Sequence, residues 1–411
     1  MVMTPAMART MFQLPPELNE IKLLTRKIVK EQCIPLEDVL LHSDPSSTDE
    51  GGGEIFIEGS IGKENHDRLK QISQETGIYS MHLPEAYGGS GFGVLGNFVV
   101  DEERNRSLVH LPVAYVPNIL FDCDDWQKER YLLPVMRGEK RTCFAQTEPD
   151  AGSDPGNSMR TRAVRDGDDW VLNGTKMYIS GADTADFLML LAVTDPDKRQ
   201  RGGITMFLVD KDLPGLGLRP IGIWTTPSRP HQFYVDLDNV RVPASNVLGE
   251  VGGGFRLGQR WLVIHDRLSR GSLACGILTR GIEMATEWAK NRVTFGEPLA
   301  QRQAIQWMLV DCYIDLKCIR AMSYECAARA DAGEDVRVLG SLSKLLGANW
   351  GHRSIDKIMQ IFGGMGETMD LPITAWYRML RHGRIGGGTD EIHRMLIARN
   401  LLNIGVPLWE A

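Results

Sequence analysis

The chain has 411 residues, 43% apolar and 24% charged, the composition of an ordinary globular protein of two or three packed units rather than a disordered or fibrous one. Its formal charge of −7 gives no electrostatic reason to expect nucleic acid, and its longest clean apolar run, Phe187 to Val193, is far too short to cross a bilayer. Seven cysteines without a CxxC pair or zinc spacing read as reduced thiols, and Met1 to Leu14 lacks the charged and apolar regions of a secretory leader. A cytoplasmic protein with no membrane insertion and no metal site is therefore expected.

Taken in chain order, Glu17 to Cys33 carries Ile21, Leu24, Ile28 and Val29 at helical spacing with charges between them. Ser46 to Gly53 is polar and Gly-rich, a loop. Helical patterning resumes from His66 to Gly77, breaks at the Gly-rich stretch Leu83 to Gly93, and returns over Val94 to Arg106 and Gln127 to Val135. Residues 1–140 thus read as an α-helical unit. Trp170 to Ser180 holds an Asn-Gly turn signal between strand-like runs, and Phe187–Val193, Ile204–Val209 and Gln232–Leu237 are short β-type runs bounded by Gly, Pro and Asp. Residues 141–250 read as a small antiparallel β unit. From Phe255 on, long amphipathic stretches (Phe255–Arg292, Gln301–Ala332, Val336–Phe362) make 251–411 a four-helix-bundle-like unit. The fold class is α+β, in the order helical, β, helical.

Two segments carry small and hydrogen-bonding residues in a suggestive arrangement. Phe144-Ala-Gln-Thr-Glu-Pro-Asp-Ala-Gly-Ser-Asp154 feeds the β unit, and Met177-Tyr-Ile-Ser180 follows about thirty residues later. By itself the first is as readily a capped turn, and Tyr178 as readily a core aromatic. Gly252-Gly-Gly254 lacks the GxGxxG spacing and a following βαβ unit, which rules out a dinucleotide fingerprint there. Together with Leu83–Gly93, Arg241–Gly249 and Gly253–Phe255, the two segments resemble the acyl-CoA dehydrogenase family in the right order along nearly the whole chain.

The resemblance implies FAD as cofactor, an acyl-CoA thioester as substrate, an electron-transfer flavoprotein as electron acceptor and a homotetramer as assembly. Thr147 then meets the flavin pyrimidine edge, Ser180 its N5 side and Tyr178 the ring, while Ser153 lies on the acyl-CoA side. An isoalloxazine has one polar edge and a wide apolar face, so it suits hydroxyl and backbone donors beside an aromatic. Arg292-Val-Thr294-Phe295-Gly296 is similar to the family segment that reaches FAD across a subunit boundary. Gln360-Ile-Phe-Gly363-Gly364 is similar to the one that meets the pyrophosphate and adenosine, although a Gly-Gly after a helix is also a common C-cap.

Desaturating a thioester needs one general base at the α-carbon and donors to the thioester carbonyl. Most of the family carries a Glu in a Tyr-Glu-Gly-Thr segment near the C-terminus. Here that segment reads Ile385-Gly-Gly-Gly-Thr-Asp-Glu391, with Gly387 at the base's position and Gly386 at the Tyr's. Gly387 still offers its N–H to the thioester oxygen, and the two lost side chains are expected to widen the cleft for a branched, cyclic or bulky acyl group. Thr389 matches a FAD-contact position, while Glu391 stands where a Gln is common. Other branches place the carboxylate on the first long C-terminal helix, before an Arg, and Asp266 and Arg267 fall there. Asp266 with Arg270 is also an ordinary surface i,i+4 pair, and His265 points about 100° away on an α-helix. The expected reaction is α,β-dehydrogenation. The rivals are a non-oxidative elimination in the same fold and a non-catalytic flavin- or acyl-CoA-binding relative.

Overall fold

The computed structural model describes residues 14–43, 60–222 and 231–403, so the expected loop at Ser46 to Gly53 lies outside the described residues. Helix α1 (Pro16–Ile28) starts on a proline, where a missing N–H costs nothing, and runs on through a wider π stretch, Val29–Cys33. Helices α2 (Lys63–Glu75) and α3 (Gly93–Arg104) follow. Helical segments from Asp125 to Met136 complete the first unit. Its core is continuous with that of the C-terminal bundle: Ile28, Leu69 and Ile78 pack in one cluster with Ile277, Ile319, Ile355 and Trp376. Charged groups fix the docking. The buried Glu102 of α3 pairs with Arg320 at 2.7 Å and Lys22 at 3.2 Å, and Glu37 pairs with Arg280 at 2.6 Å. A buried carboxylate without such partners would be strongly unfavourable, so these pairs select one docking register.

The middle unit is one seven-stranded sheet: β1 (Thr142–Ala145), β2 (Arg162–Asp166), β3 (Asp169–Ser180), β4 (Phe187–Val193), β5 (Ile204–Asp210), β6 (Leu216–Ile221) and β7 (Gln232–Pro243). Its order is β1-β4-β2-β3-β7-β6, with β5 also on β4. Two expectations need correction. The sheet is not purely antiparallel, because β1 pairs parallel with β4 after the long β2–β3 excursion brings the chain back to it. Nor does Asn173-Gly174 make a hairpin turn. β3 runs straight through it as a bulge, and Gly174 is needed because a Cβ there would lie 2.6 Å from Thr161 Oγ1.

The third unit begins where Gly252 and Gly254 let the chain pass against the sheet: a Cβ at either would lie 2.3 Å from the backbone of Gly202 or Met206. Helix α4 (Gly254–Trp261) leads through a π stretch (Leu262–Leu268) into α5 (Ser269–Asn291), so the single long helix expected from Phe255 is interrupted by a wide turn. A β8–β9 hairpin (Val293–Thr294, Glu297–Pro298) joins α5 to α6 (Gln303–Asp331). Then come α7 (Arg337–Leu345), a second π stretch (Leu346–Trp350), α8 (Gly351–Phe362), α9 (Ile373–Gly383) and α10 (Asp390–Asn403). The last two were not foreseen from the pattern. Among the described residues no helix is long and apolar enough to cross a membrane, and no cluster could hold a metal ion. All seven cysteines are free.

Candidate active site

The loop after β1 is pinned to β3. Met177 donates its N–H to Thr147 O at 2.8 Å, at a second bulge where β3 leaves register with β7. Under this contact lies a buried ion pair missed by sequence reasoning, Lys176 Nζ to Glu148 Oε1 at 2.7 Å, with Glu148 also accepting from the N–H groups of Arg160 and Thr161. Burial pulls Lys176 down to about 8, against the attraction of Glu148. The alternating buried pattern of β3, with a lysine at an inward position, was the available signal.

The bulge forces Tyr178 to φ +59, which leaves its ring half exposed instead of in the core. Ser180 Oγ lies 3.5 Å from Gln232 Nε2 on β7. Beside Thr147, the Oε1 of Gln146 is buried without a hydrogen-bond partner. A flat heterocycle with a polar edge fits this combination of open ring face, hydroxyls and an orphaned acceptor. Among the described residues five non-glycine residues have positive φ, and three are candidates: Ser153 (+58), Tyr178 and Phe295 (+51). For bulky side chains this is rare, and such backbone strain concentrates at functional sites.

A second cluster forms at one end of the bundle. Trp288, one turn before Arg292, stacks on Phe362 at 5.2 Å and so packs the end of α5, which leads into the Arg292–Phe295 hairpin, against the end of α8 near Gln360, Gly363 and Gly364. Thr294 is held by Arg302 Nη2 on its carbonyl at 2.9 Å. Gly363 ends α8 at φ +60, ψ −139, a conformation essentially confined to glycine, and both Gly363 and Gly364 face open space. Gly363 donates its own N–H back to the Gln360 and Met359 carbonyls, so what the pair offers a cofactor phosphate is close backbone approach without a Cβ.

The third cluster surrounds Asp266, which lies in the π stretch. Such wide turns are uncommon and recur at functional sites. The side chain is aimed at Gly387: a Cβ there would lie only 1.7 Å from Asp266 Oδ2. The carboxylate thus fills the space where a side chain at 387 would begin. Gly386 is likewise filled in, since its Cβ would lie 2.8 Å from His382 Nε2 and 3.4 Å from Arg270 Nη2. The expected widening by the glycine pair is therefore corrected, because Asp266, His382 and Arg270 occupy that volume.

The pairing of the acid is also corrected. Arg270 Nη2 meets Asp266 Oδ1 at 2.7 Å, with the two side chains 18% and 14% exposed, so this is no surface pair. Arg267 is buried instead, hydrogen-bonds Gln259 Oε1 at 3.2 Å, and burial pulls its guanidinium below the ordinary value while Asp266 opposes this. His265 Nε2 accepts from the Asn118 N–H at 2.9 Å, and burial pulls it down to about 3. Its lone pair is already committed, which removes it as a base. His393, fully buried on α10, has Nε2 3.1 Å from Gly387 O, and Thr389 caps the same helix, its Oγ1 3.4 Å from the Ile392 N–H. Glu391 is exposed and held below the usual carboxylate range by its own N–H and the Thr389 hydroxyl. One wall carries rings in sequence: Phe144 on Trp261 at 4.2 Å, Trp261 on His265 at 6.0 Å, and His265 against Tyr115 at 5.5 Å.

A helical–β–helical fold with an open ring face and hydroxyls at the sheet edge and a carboxylate on the bundle fits the class of flavoenzymes acting on thioesters. Family models agree: acyl-CoA dehydrogenase N-terminal domain at 58–139, middle domain at 143–235 and C-terminal domain at 252–402. The chain belongs to the acyl-CoA dehydrogenase family, as a flavin-dependent enzyme whose cofactor is FAD. It is 34% identical to (R)-benzylsuccinyl-CoA dehydrogenase of Thauera aromatica, over 96% of this chain and 97% of that one. It is 34% identical to 3-(aryl)acrylate reductase of Clostridium sporogenes, over 81% and 89%. The butyryl-CoA dehydrogenase structure from Megasphaera elsdenii superposes with a TM-score of 0.81 at 27% identity, over 95% and 99%.

Proposed function

We propose that this enzyme desaturates a branched, cyclic or otherwise bulky acyl-CoA between Cα and Cβ, with Asp266 as the base. The observation that supports this reading is the contact of Asp266 with position 387, where a Cβ would lie 1.7 Å from Asp266 Oδ2, so that the carboxylate stands beside the residue at which most of the family carries its base. Thr147, Tyr178 and Ser180, with the Arg292–Phe295, Gln360–Gly364 and Thr389 segments, would hold FAD, which would supply the two-electron acceptor. Asp266 takes the α-proton, and the Gly387 N–H polarises the thioester carbonyl. Ser153 borders the acyl-CoA, and Arg267 braces the helix that carries the base. The ring wall of Tyr115, His265 and Trp261, one turn before Asp266, suits a wide apolar acyl group, and two relatives are named for aryl-bearing substrates. Electrons pass on to an electron-transfer flavoprotein in the cytoplasm, and the working assembly is a homotetramer.

The test is anaerobic addition of bulky and linear acyl-CoAs of equal carbon number to the FAD-loaded enzyme. Bleaching of the flavin band with a higher specificity constant for the bulky substrate is expected. Product without bleaching would mean elimination, and neither product nor bleaching would mean a binding protein. Asp266→Asn keeps size and hydrogen bonding but cannot take the proton. It should retain FAD while bleaching slows by a factor on the order of 10² to 10⁴. Wild-type bleaching by this variant would make Asp266 structural.

A further inference from the structure

The stretch from Gly383, the last residue of α9, to Gly387 lies along one side chain and its partner. A Cβ at Gly383 would lie 3.7 Å from Arg270 Cδ, at Gly386 3.4 Å from Arg270 Nη2, and at Gly387 1.7 Å from Asp266 Oδ2. Read in order, Gly383, Gly386 and Gly387 follow the Arg270 stem, its guanidinium and then the carboxylate that the guanidinium holds. On the other side Gly347, in the second π stretch, packs on the Arg270 backbone, where a Cβ would lie 2.4 Å from its carbonyl oxygen. Arg270 is thus closely packed at its backbone by Gly347, and its side chain lies in van der Waals contact along Gly383 and Gly386.

Its choice of partner is equally constrained. The other buried carboxylate nearby, Asp390, is already taken by Lys344 at 3.3 Å and Arg384 at 3.0 Å. Arg267, on the same π stretch as Asp266, turns to Gln259. Among the described residues Arg270 is the one cation within ion-pair distance of Asp266, and Asp266 is its one such carboxylate. Arg270 Nε is buried without a partner, so the guanidinium sits there for the Asp266 contact and not as part of a saturated network.

An aspartate base is one methylene shorter than the glutamate it stands in for, and two free torsions would let its carboxylate swing off the α-carbon. We propose that Arg270 is a positioning residue, which clamps the Asp266 carboxylate in line with Gly387. Gly387 leaves the carboxylate its place, while a side chain at 386 would meet His382 before it met Arg270. The inference rests on Asp266 being the base. It adds that the base works only when held by a guanidinium from one helical turn later.

The test compares Arg270→Lys, Arg270→Gln and Arg270→Ala in the FAD-loaded enzyme, using an acyl-CoA that bleaches the wild type. A carboxylate displaced by about an ångström costs on the order of 100-fold in rate. Arg270→Gln should lose about that much in kcat, with KM within about threefold and FAD content unchanged. Arg270→Lys should recover part of the loss. Millimolar guanidinium chloride should restore part of the Arg270→Ala rate where equal urea or sodium chloride does not. If Arg270→Ala does not fold, the Lys and Gln pair decides. Wild-type kcat in Arg270→Gln, a loss that tracks FAD content, or equal loss in Lys and Gln without guanidinium rescue would each overturn the proposal. The two readings fail separately: an unimpaired Asp266→Asn removes the base itself, whereas a slow Asp266→Asn beside an unimpaired Arg270→Gln removes only the clamp.

Discussion

At the scale of single residues, the site turns on a mutual exclusion between positions 266 and 387. Both cannot carry an extended side chain, because the first carbon at 387 falls on the Asp266 carboxylate. Gly387 is also at φ +69, where an alanine costs about 1–2 kcal/mol. Gly387→Ala should therefore fold with a moderately lowered Tm and keep FAD, yet lose about 10²-fold or more in the rate of flavin bleaching as Asp266 is pushed aside. Stopped-flow bleaching together with released-flavin content checks it, and a full-rate Gly387→Ala would show that the carboxylate does not sit against residue 387 in the working enzyme. Tyr178 makes the same point about context. Its letter alone suits a core aromatic as well as a flavin contact, and the bulge that turns it outward is a property of how β3 pairs with β7.

At the scale of elements, Asp266, Arg270, Gly387 and His393 come together only because a π stretch faces the start of α10. Several histidines are buried here against their charged forms. Burial pulls His393 to about 4, His382 to about 4 and His265 to about 3, from 6.5. A histidine with a depressed folded pKa refuses protons that the unfolded chain accepts. Stability is therefore full above pH 6.5 and falls as pH drops from 6.5 towards 4, after which the group contributes no further loss. For His393, which is fully buried, a displacement from 6.5 to about 4 corresponds to about 3 kcal/mol. Unfolding free energies measured between pH 7 and 4 should fall steeply in the wild type and less steeply in His393→Gln. Parallel curves for the two would show that His393 takes up no differential protons. The Lys176–Glu148 pair plays a comparable part in the sheet, tying the Thr147 loop to the strand that carries Tyr178 and Ser180.

At the scale of the whole molecule, one face of α6 is left uncovered in a single chain. Trp307, Val310, Tyr313 and Ile314 are each more than half exposed and lie at helical spacing, and Phe295 at the hairpin before them is 99% exposed. Large apolar side chains in such a stripe are characteristic of a subunit interface. If the proposed homotetramer uses this face, the double variant Trp307→Glu/Tyr313→Glu should sediment as a smaller species than the wild type and bind FAD more weakly, because the proposed contact of the Arg292–Phe295 hairpin with a neighbour's FAD would be lost. Analytical ultracentrifugation with flavin content reads both, and an unchanged sedimentation coefficient would place the interface elsewhere.

Much of this was legible along the chain because it depends on local periodicity and short motifs. The helical–β–helical order, strands such as Phe187–Val193, the long C-terminal helices, the Thr147 and Tyr178–Ser180 segments and the loss of a carboxylate at Gly387 are all readable within a window of a few residues. What was not legible depends on residues far apart. The Asn173-Gly174 pair reads as a turn until Thr161 and β7 are in place, and it then becomes a bulge. Two glycines read as empty space until Asp266 and Arg270 arrive from over a hundred residues earlier, beside the local His382, to fill it. Arg267 and Arg270 are equivalent as letters, and only the wide turn of the π stretch and the closed packing around it decide which of them meets the acid. Sequence determined which chemistry the chain could carry. Tertiary packing decided which side chains share one volume, because a carboxylate, a guanidinium and a bare backbone can occupy the same few ångströms only in one arrangement.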